Sequence, residues 1–363
     1  MEKEYQKKKQ KIVGIPRGLI FYHYPDLFQT FFEKLGAKVV ISNESSKAML
    51  LEALKISSDE ECFSGKVFFG HILELIGKVD YLFLPKYHGS HKYKVNCPKF
   101  IGLPDVIRAV FSDLPKIIDP YHSRTKKRHR KLHLLSIIYK TGLIFTKNPF
   151  KILRAIKLAL KAHNEHLKKK HYTEDELQHW ENNVQNGNNL EKVKVALLGH
   201  GYVLEDSILS FDTKTRLEKL GVEVITSEEM PKSIIDNQME KLHSVLYFHE
   251  ECQIVGTALY FLETETVDGI LQLIPFPCGP TAVSSEIIMR HAKRNENMPL
   301  IQLMVDDNTG EAGFLTRLEA FVMTMKRKKL LQYRKDLELN KLGIRSVITK
   351  QDELPVDEGG LSG

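Results

Sequence analysis

The chain has 363 residues, 42% hydrophobic and 27% charged, with a formal net charge of +7. This is the composition of an ordinary globular protein, long enough for two domains with sizeable cores. The N-terminus, "MEKEYQKKKQ", lacks the apolar segment of a secretory leader, and no apolar run reaches the roughly 18 residues of a transmembrane helix. The sequence therefore reads as cytoplasmic, with no membrane partner.

Taken in chain order, "KIVGIPRGLIFYHYPDLFQTFFEKLGAKVVIS" from Lys11 predicts a strand, a loop, an amphipathic helix, a helix-ending glycine and a second strand. "SSDEECFSGKVFFGHILELI" holds Cys62 just before a helix. "VDYLFLP" predicts a strand, and "GLPDVIRAVF" a helix that follows Cys97. From about 124 to 190 the pattern is helical and basic. Between Tyr121 and Lys170 there are 15 Lys and Arg against one acid, Glu165. "NVQNGNN" predicts a turn-rich linker.

"KVALLGHGYVLEDSILSFDTKTRLEKLGVEVITS" from Lys194 then repeats the first stretch, with "EKLGAKVVIS" and "EKLGVEVITS" in register. "SVLYF", "VDGILQLI" and "PLIQLMV" predict further strands. "AGFLTRLEAFVMTMKRKK" predicts a long closing helix, and "DELPVDEGGLSG" a disordered tail. Strands alternating with helices imply βαβ units and parallel sheets. The expected fold is α/β: two flavodoxin-like domains with parallel sheets, joined by a basic helical segment. The expected boundaries are 1–123 for the first α/β domain, 124–190 for the basic segment, 191–345 for the second domain and 346–363 for the tail.

The four cysteines, Cys62, Cys97, Cys252 and Cys278, are too far apart for a disulfide-rich scaffold. Cys97 and Cys278 follow the carboxyl ends of predicted strands, and Cys62 heads a helix that can face the same edge. Ligands bind at that edge in open α/β sheets. A thiol at a helix N-terminus is also expected to have its thiolate stabilised by the helix dipole. Proline and glycine around Cys278, in "IPFPCGPTA", suit a rigid loop presenting one sulfur. Core packing, catalysis and metal binding all remain open for these residues, because no C-x-x-C spacing is present.

Other features have plain readings. Asp306, Asp307 and Glu311 form an acidic loop that opens the last helix, with Thr309 a candidate cap; the functional alternative is a pocket wall with Arg317 nearby. His200, Tyr202 and Asp206 in "GHGYVLED" lack a dinucleotide-binding spacing. His71 reads as packed or solvated, and Arg17 as a weak anion contact. The basic middle reads first as a solvated helical surface. A docking face for an acidic partner comes second, and nucleic acid is the weakest reading.

A set of motifs in both halves resembles the 2-hydroxyacyl-CoA dehydratase D-component family, in the branch associated with ATP-dependent CoA-substrate-specific activases. The motifs are "GIPRGLIFYHYPDLFQTFFEKLG", "DEECFSGKVFFGHILEL", "YLFLPKY", "NCPKFIGLPD", "GHGYVLED", "FPCGPTAVSSE" and "DDNTGEAGFLTRLEAF". The resemblance implies an iron–sulfur cluster, of [4Fe–4S] type with one iron left open, ligated by Cys62, Cys97 and Cys278. It implies low-potential electrons from an activase acting in trans, since no ATPase domain is recognised in the sequence. Those electrons would serve reduction, or ketyl-radical elimination of water from a 2-hydroxyacyl-CoA. A homologous partner subunit or a homodimer, and an acyl-CoA substrate, are compatible with it. It assigns no catalytic residue.

The departures are Cys252, where an aromatic or small residue is usual, Ser64-Gly65 in place of Pro and an aliphatic, and Asp307-Asn308 in place of Glu-His. Cys252 is therefore left out of the ligand set and read first as packing, with a fourth ligand outside the family pattern as the alternative. A non-catalytic electron carrier or scaffold, and a metal-free α/β ligand-binding protein, are the alternative functions.

Overall fold

The computed structural model describes residues 10–88, 95–122, 130–185, 192–242, 246–294 and 298–341. The first half contains strands β1 (Ile12–Ile15), β2 (Lys38–Ile41), β3 (Tyr81–Phe83), β4 (Lys86–Tyr87), β5 (Lys116–Ile118) and β6 (Tyr121–His122). The second half contains β7 (Val193–Leu198), β8 (Val222–Thr226), β9 (Gly269–Pro275) and β10 (Leu300–Val305). The first main sheet has the order β2-β1-β3-β5, and the second β8-β7-β9-β10. Every pairing within them is parallel. Strands β4 and β6 form a small parallel pair of their own. These are the two flavodoxin-like sheets that the alternating pattern predicts.

The repeated sequence accounts for the repeated topology. In the first half β1 leads through helix Pro25–Leu35 to β2; in the second β7 leads through helix Thr213–Lys219 to β8. Gly36 and Gly221 leave these helices with φ of 91° and 77°. That left-handed conformation strains any residue with a Cβ, which is why Lys-Leu-Gly recurs. In both sheets the first strand lies between the second and the third. The winding reverses there, and the carboxyl ends of β1 and β3, and of β7 and β9, open a crevice.

Burial explains the apolar runs. All residues of β7 and β9 are buried, as expected of parallel strands covered on both faces. The helix Glu311–Lys341 packs one face of the second sheet, with Phe321 and Met325 filling the space beside Gly269. The helices His249–Thr264 and Gly279–Ala292 cover the other face through Val255, Ala258 and Ile288. In the first half Phe32 is fully buried, with its ring 4.9 Å from that of Phe83 and 5.4 Å from that of Phe145. Burying such a side chain contributes about 1.5–3 kcal/mol. One apolar cluster runs from Val13 and Phe32 through to Leu197 and Phe314, so the two halves share a core.

The basic segment splits between the halves. Helix Pro149–Lys170, capped by Asn148, lays Ile152, Ala155, Ile156 and Ala159 against helix Pro25–Leu35. Its alanines permit close approach, and its lysines are left on the outer side except Lys170, which pairs with Glu228 and Glu205 of the second half. Helix Glu174–Gln185 instead joins the second half, where Leu177 is buried and Trp180 lies against Phe261. Lys194 Nζ lies 4.0 Å above the Trp180 ring.

Two elements differ from expectation. "SVLYF" is not a sheet strand: Phe248 makes only an isolated bridge to Val95, and 243–245 lie outside the described residues. Its backbone pairs with the Cys97 loop instead, through Val95 N–H to Tyr247 O and His249 N–H to Val95 O. Strand β5 was not expected. Its three residues follow "SDLP", too short a run to show a period. The tail 346–363, and most of the predicted linker around 186–191, lie outside the described residues.

Candidate functional site

Three cysteines occupy the same local position. Cys62 is the N-cap of helix Phe63–Leu75, Cys97 of helix Pro98–Val110 and Cys278 of helix Gly279–Ala292. All three line one cavity of about 130 Å³, together with Leu19, Phe69, Phe100 and Tyr202. By liquid volume that is room for about four waters. Cys62 and Cys97 come from the first half and Cys278 from the loop after β9, so the cavity lies between the halves. The two loops touch directly: Phe63 N–H donates to Phe276 O at 3.0 Å. The Phe276–Pro277 peptide beside it is cis.

The electrostatics of the thiols reverse one expectation. Burial pushes Cys62 up to about 12, and the Glu61 carboxylate adds to that. Burial also raises Cys97 and Cys278. The amides of Gly65, Lys99 and Thr281 favour the thiolates but lose to desolvation. In the protein alone the helix ends therefore do not make thiolates.

Glu61 forms part of the cavity wall. Its carboxylate accepts both from Lys99 Nζ and from the Cys62 N–H, the latter at 3.1 Å. Gly65 makes room for it, since a Cβ there would clash with Glu61 Oε1. The unusual glycine of "CFSGK" thus accommodates a carboxylate.

On the other side, Cys278 adjoins a buried polar group. His200 Nε2 lies 2.7 Å from Glu251 Oε1. Thr281 Oγ1 lies 3.2 Å from the same oxygen and 3.1 Å from Cys278 Sγ. Ser284 donates to Glu251 Oε2. Burial works against the His200 charge, but Glu251 outweighs it and His200 is raised. Burial likewise works to raise Glu251, but His200 and the two hydroxyls outweigh it and hold the carboxylate low. Among the described residues His200, Glu251 and Cys278 form a group whose donor atoms all lie within 4.8 Å. Both Glu251 oxygens already accept hydrogen bonds, which suits a support for Cys278 better than a direct metal ligand.

The remaining candidates take structural places. Cys252 is buried on helix His249–Thr264, with its thiol 3.5 Å from Leu246 O, and does not line the cavity. Thr309 does not cap the last helix: its hydroxyl binds Asp306 Oδ1 at 2.6 Å, closing the turn. Asp307 pairs with Lys66 at 2.9 Å, and Glu311 with Arg216 at 2.7 Å and Lys47 at 2.9 Å. These bridges tie the acidic loop to neighbouring elements, and the loop does not line the cavity. Arg317 reaches back to Gly313 O. Arg17 holds Ser42 O and Glu44.

His71 is fully buried, with Ser42 Oγ 3.0 Å from Nδ1 and Ser45 Oγ 3.0 Å from Nε2. Ser45 in turn donates to Asp206 of the second half. Sequence reading passed over Glu61, Lys99, Glu251 and Thr281. Only Thr281 carried a local signal, since it stands three residues after a helix-heading cysteine, where a side chain can reach back to the N-cap.

Fold and site together define a pair of flavodoxin-like α/β domains with three cysteines converging between them. The chain belongs to the family described as CoA enzyme activase uncharacterised domain (DUF2229), whose model matches residues 12–230. The match takes in Cys62 and Cys97 and stops before Cys278. No curated protein matches the chain.

Among solved structures, the C-terminal domain of glucosamine-fructose-6-phosphate aminotransferase from Francisella tularensis matches at 9% identity. It covers 89% of this chain and 84% of its own, with a TM-score of 0.26. A complex of SsGBP with GDP matches at 11% identity, covering 94% and 99%, with a TM-score of 0.21. A putative sugar binding protein from Salmonella typhimurium LT2 matches at 10% identity, covering 83% and 79%, with a TM-score of 0.18. These likenesses are too remote to bear on function. No helix among the described residues is long and apolar enough to cross a membrane.

Proposed function

We propose that Cys62, Cys97 and Cys278 hold an iron–sulfur cluster of [4Fe–4S] type, and that the protein receives low-potential electrons from a separate ATP-dependent activase. The observation that carries this reading is the convergence of three N-cap cysteines, from both halves, on one cavity of about 130 Å³. The donor set suits the group. Three sulfurs leave a cubane one iron without a cysteine. A cation among them offsets the burial that otherwise keeps the thiols protonated. When bound, the cluster supplies one-electron transfer and a Lewis-acidic iron.

The chain's own part is to present the sulfurs and keep water out. Leu19, Phe69 and Phe100 make the wall apolar, and Lys99 holds the Glu61 carboxylate beside Cys62. The family description sets this in the context of CoA enzyme activases. The substrate reading is an acyl-CoA, reduced or dehydrated after the electron arrives. Anaerobic protein mixed with the activase, ATP and a 2-hydroxyacyl-CoA tests it. Bleaching of the cluster absorbance followed by product supports the reading. Bleaching without product favours an electron carrier, and the absence of bleaching overturns electron delivery.

A further inference from the structure

The hydroxyl of Thr281 has more acceptors than hydrogens. It lies 3.1 Å from Cys278 Sγ and 3.2 Å from Glu251 Oε1, whereas His200 Nε2, 3.5 Å away, carries the hydrogen it gives to Glu251 and does not accept. It can donate to one of them at a time. Bulk water does not reach the oxygens of this group, because Thr281 and Ser284 are fully buried, and Glu251 and His200 are 1% and 4% exposed. Glu251, however, has other donors: His200 on Oε1 at 2.7 Å, and Ser284 on Oε2. Pro280, one residue before Thr281, has no N–H to offer, so the donors this turn presents to the sulfur are the amide and the hydroxyl of Thr281.

We propose that Thr281 donates its hydroxyl hydrogen to the Cys278 sulfur, and that His200 and Ser284 free it to do so by satisfying Glu251. Thr281 is thus a positioning and tuning residue for one ligand, and the buried His200–Glu251 pair is the anchor that sets its orientation. The proposal rests on the reading of Cys278 as a cluster ligand. A hydrogen bond to a ligating sulfur draws off negative charge, which favours the reduced cluster and raises its potential. The second half of the protein would then control the potential through a residue that touches no iron.

The test compares three variants, purified anaerobically, by iron content and by potentiometric titration followed by electron paramagnetic resonance. Thr281→Val removes the donor at nearly constant shape. Thr281→Ser keeps it. Ser284→Ala leaves Glu251 short of a donor, so that it competes for the Thr281 hydrogen. The expected result is wild-type iron content in all three, a more negative midpoint potential in Thr281→Val, a smaller shift of the same sign in Ser284→Ala, and near-wild-type behaviour in Thr281→Ser. An unchanged potential in iron-loaded Thr281→Val overturns the proposal alone. A wild-type protein without iron overturns the cluster reading and this proposal with it.

Discussion

The N–H of Phe63 donates to the carbonyl oxygen of Phe276 at 3.0 Å, so the helix that Cys62 heads is hydrogen-bonded to the turn that carries Cys278. The two residues lie in different halves of the chain. Their bond sets the spacing of two of the three sulfurs without using either cysteine. Around it, Lys66 to Asp307 and Ser45 to Asp206 also cross between the halves. Geometry at the cavity and packing between the halves are therefore the same problem.

The Lys66–Asp307 bridge crosses between the halves with its side chains 7% and 17% exposed. Asp307→Asn strands a buried ammonium and is expected to destabilise the protein by about 3 kcal/mol. Lys66→Met combined with Asp307→Asn should recover most of that loss. Urea unfolding of the two single variants and the double variant checks it. Additive losses would show that the pair is not coupled.

How much was legible follows from range. The Lys-Leu-Gly repeat announced two βαβ units because a helix stop and the strand after it are local events. The three cysteines could be placed because each sits at a strand or helix end. Glu251 could not be tied to His200, which is 51 positions away, nor Thr281 to either, because only the folded second sheet brings them together. "SVLYF" misled because β-branched and aromatic content signals extended backbone, and not which partner it will find. The thiol electrostatics also misled, because a helix end can be read from sequence whereas desolvation cannot.

Gly65 is expected to resist even alanine. A Cβ there would clash with the Glu61 side chain and would push the carboxylate off Lys99 and the Cys62 N–H. Gly65→Ala should lose about 1–3 kcal/mol, the range for overpacking, because Glu61 must give up its contacts to Lys99 and the Cys62 N–H to make room. Thermal denaturation measures it, and adding Glu61→Ala should relieve the clash. If the double variant is no more stable than Gly65→Ala, the clash is not with Glu61.

Acid should weaken the protein through His71. The hydrogen bonds orient one way: Ser42 donates to Nδ1, Nε2–H donates to Ser45, and Ser45 donates to Asp206. Burial, helped by Arg17, lowers His71 from 6.5 to about 4. A depressed histidine contributes stability that is fully present above the unfolded pKa and is lost as pH falls from about 6.5 towards 4. The full shift corresponds to roughly 3 kcal/mol. His71→Gln should flatten the urea-midpoint profile in that window. The loss of Glu251, whose carboxylate is held low, should remain at more acid pH. An equally steep profile in His71→Gln would remove His71 as the cause.

The central claim is that three sulfurs from both halves hold one cluster. Iron and acid-labile sulfide in anaerobically purified protein test it most directly, comparing wild type with Cys278→Ala and Cys252→Ala. Iron and sulfide are expected in wild type, with their loss in Cys278→Ala and wild-type content in Cys252→Ala, whose thiol lies off the cavity. Unchanged iron in Cys278→Ala, or none in wild type, would contradict it.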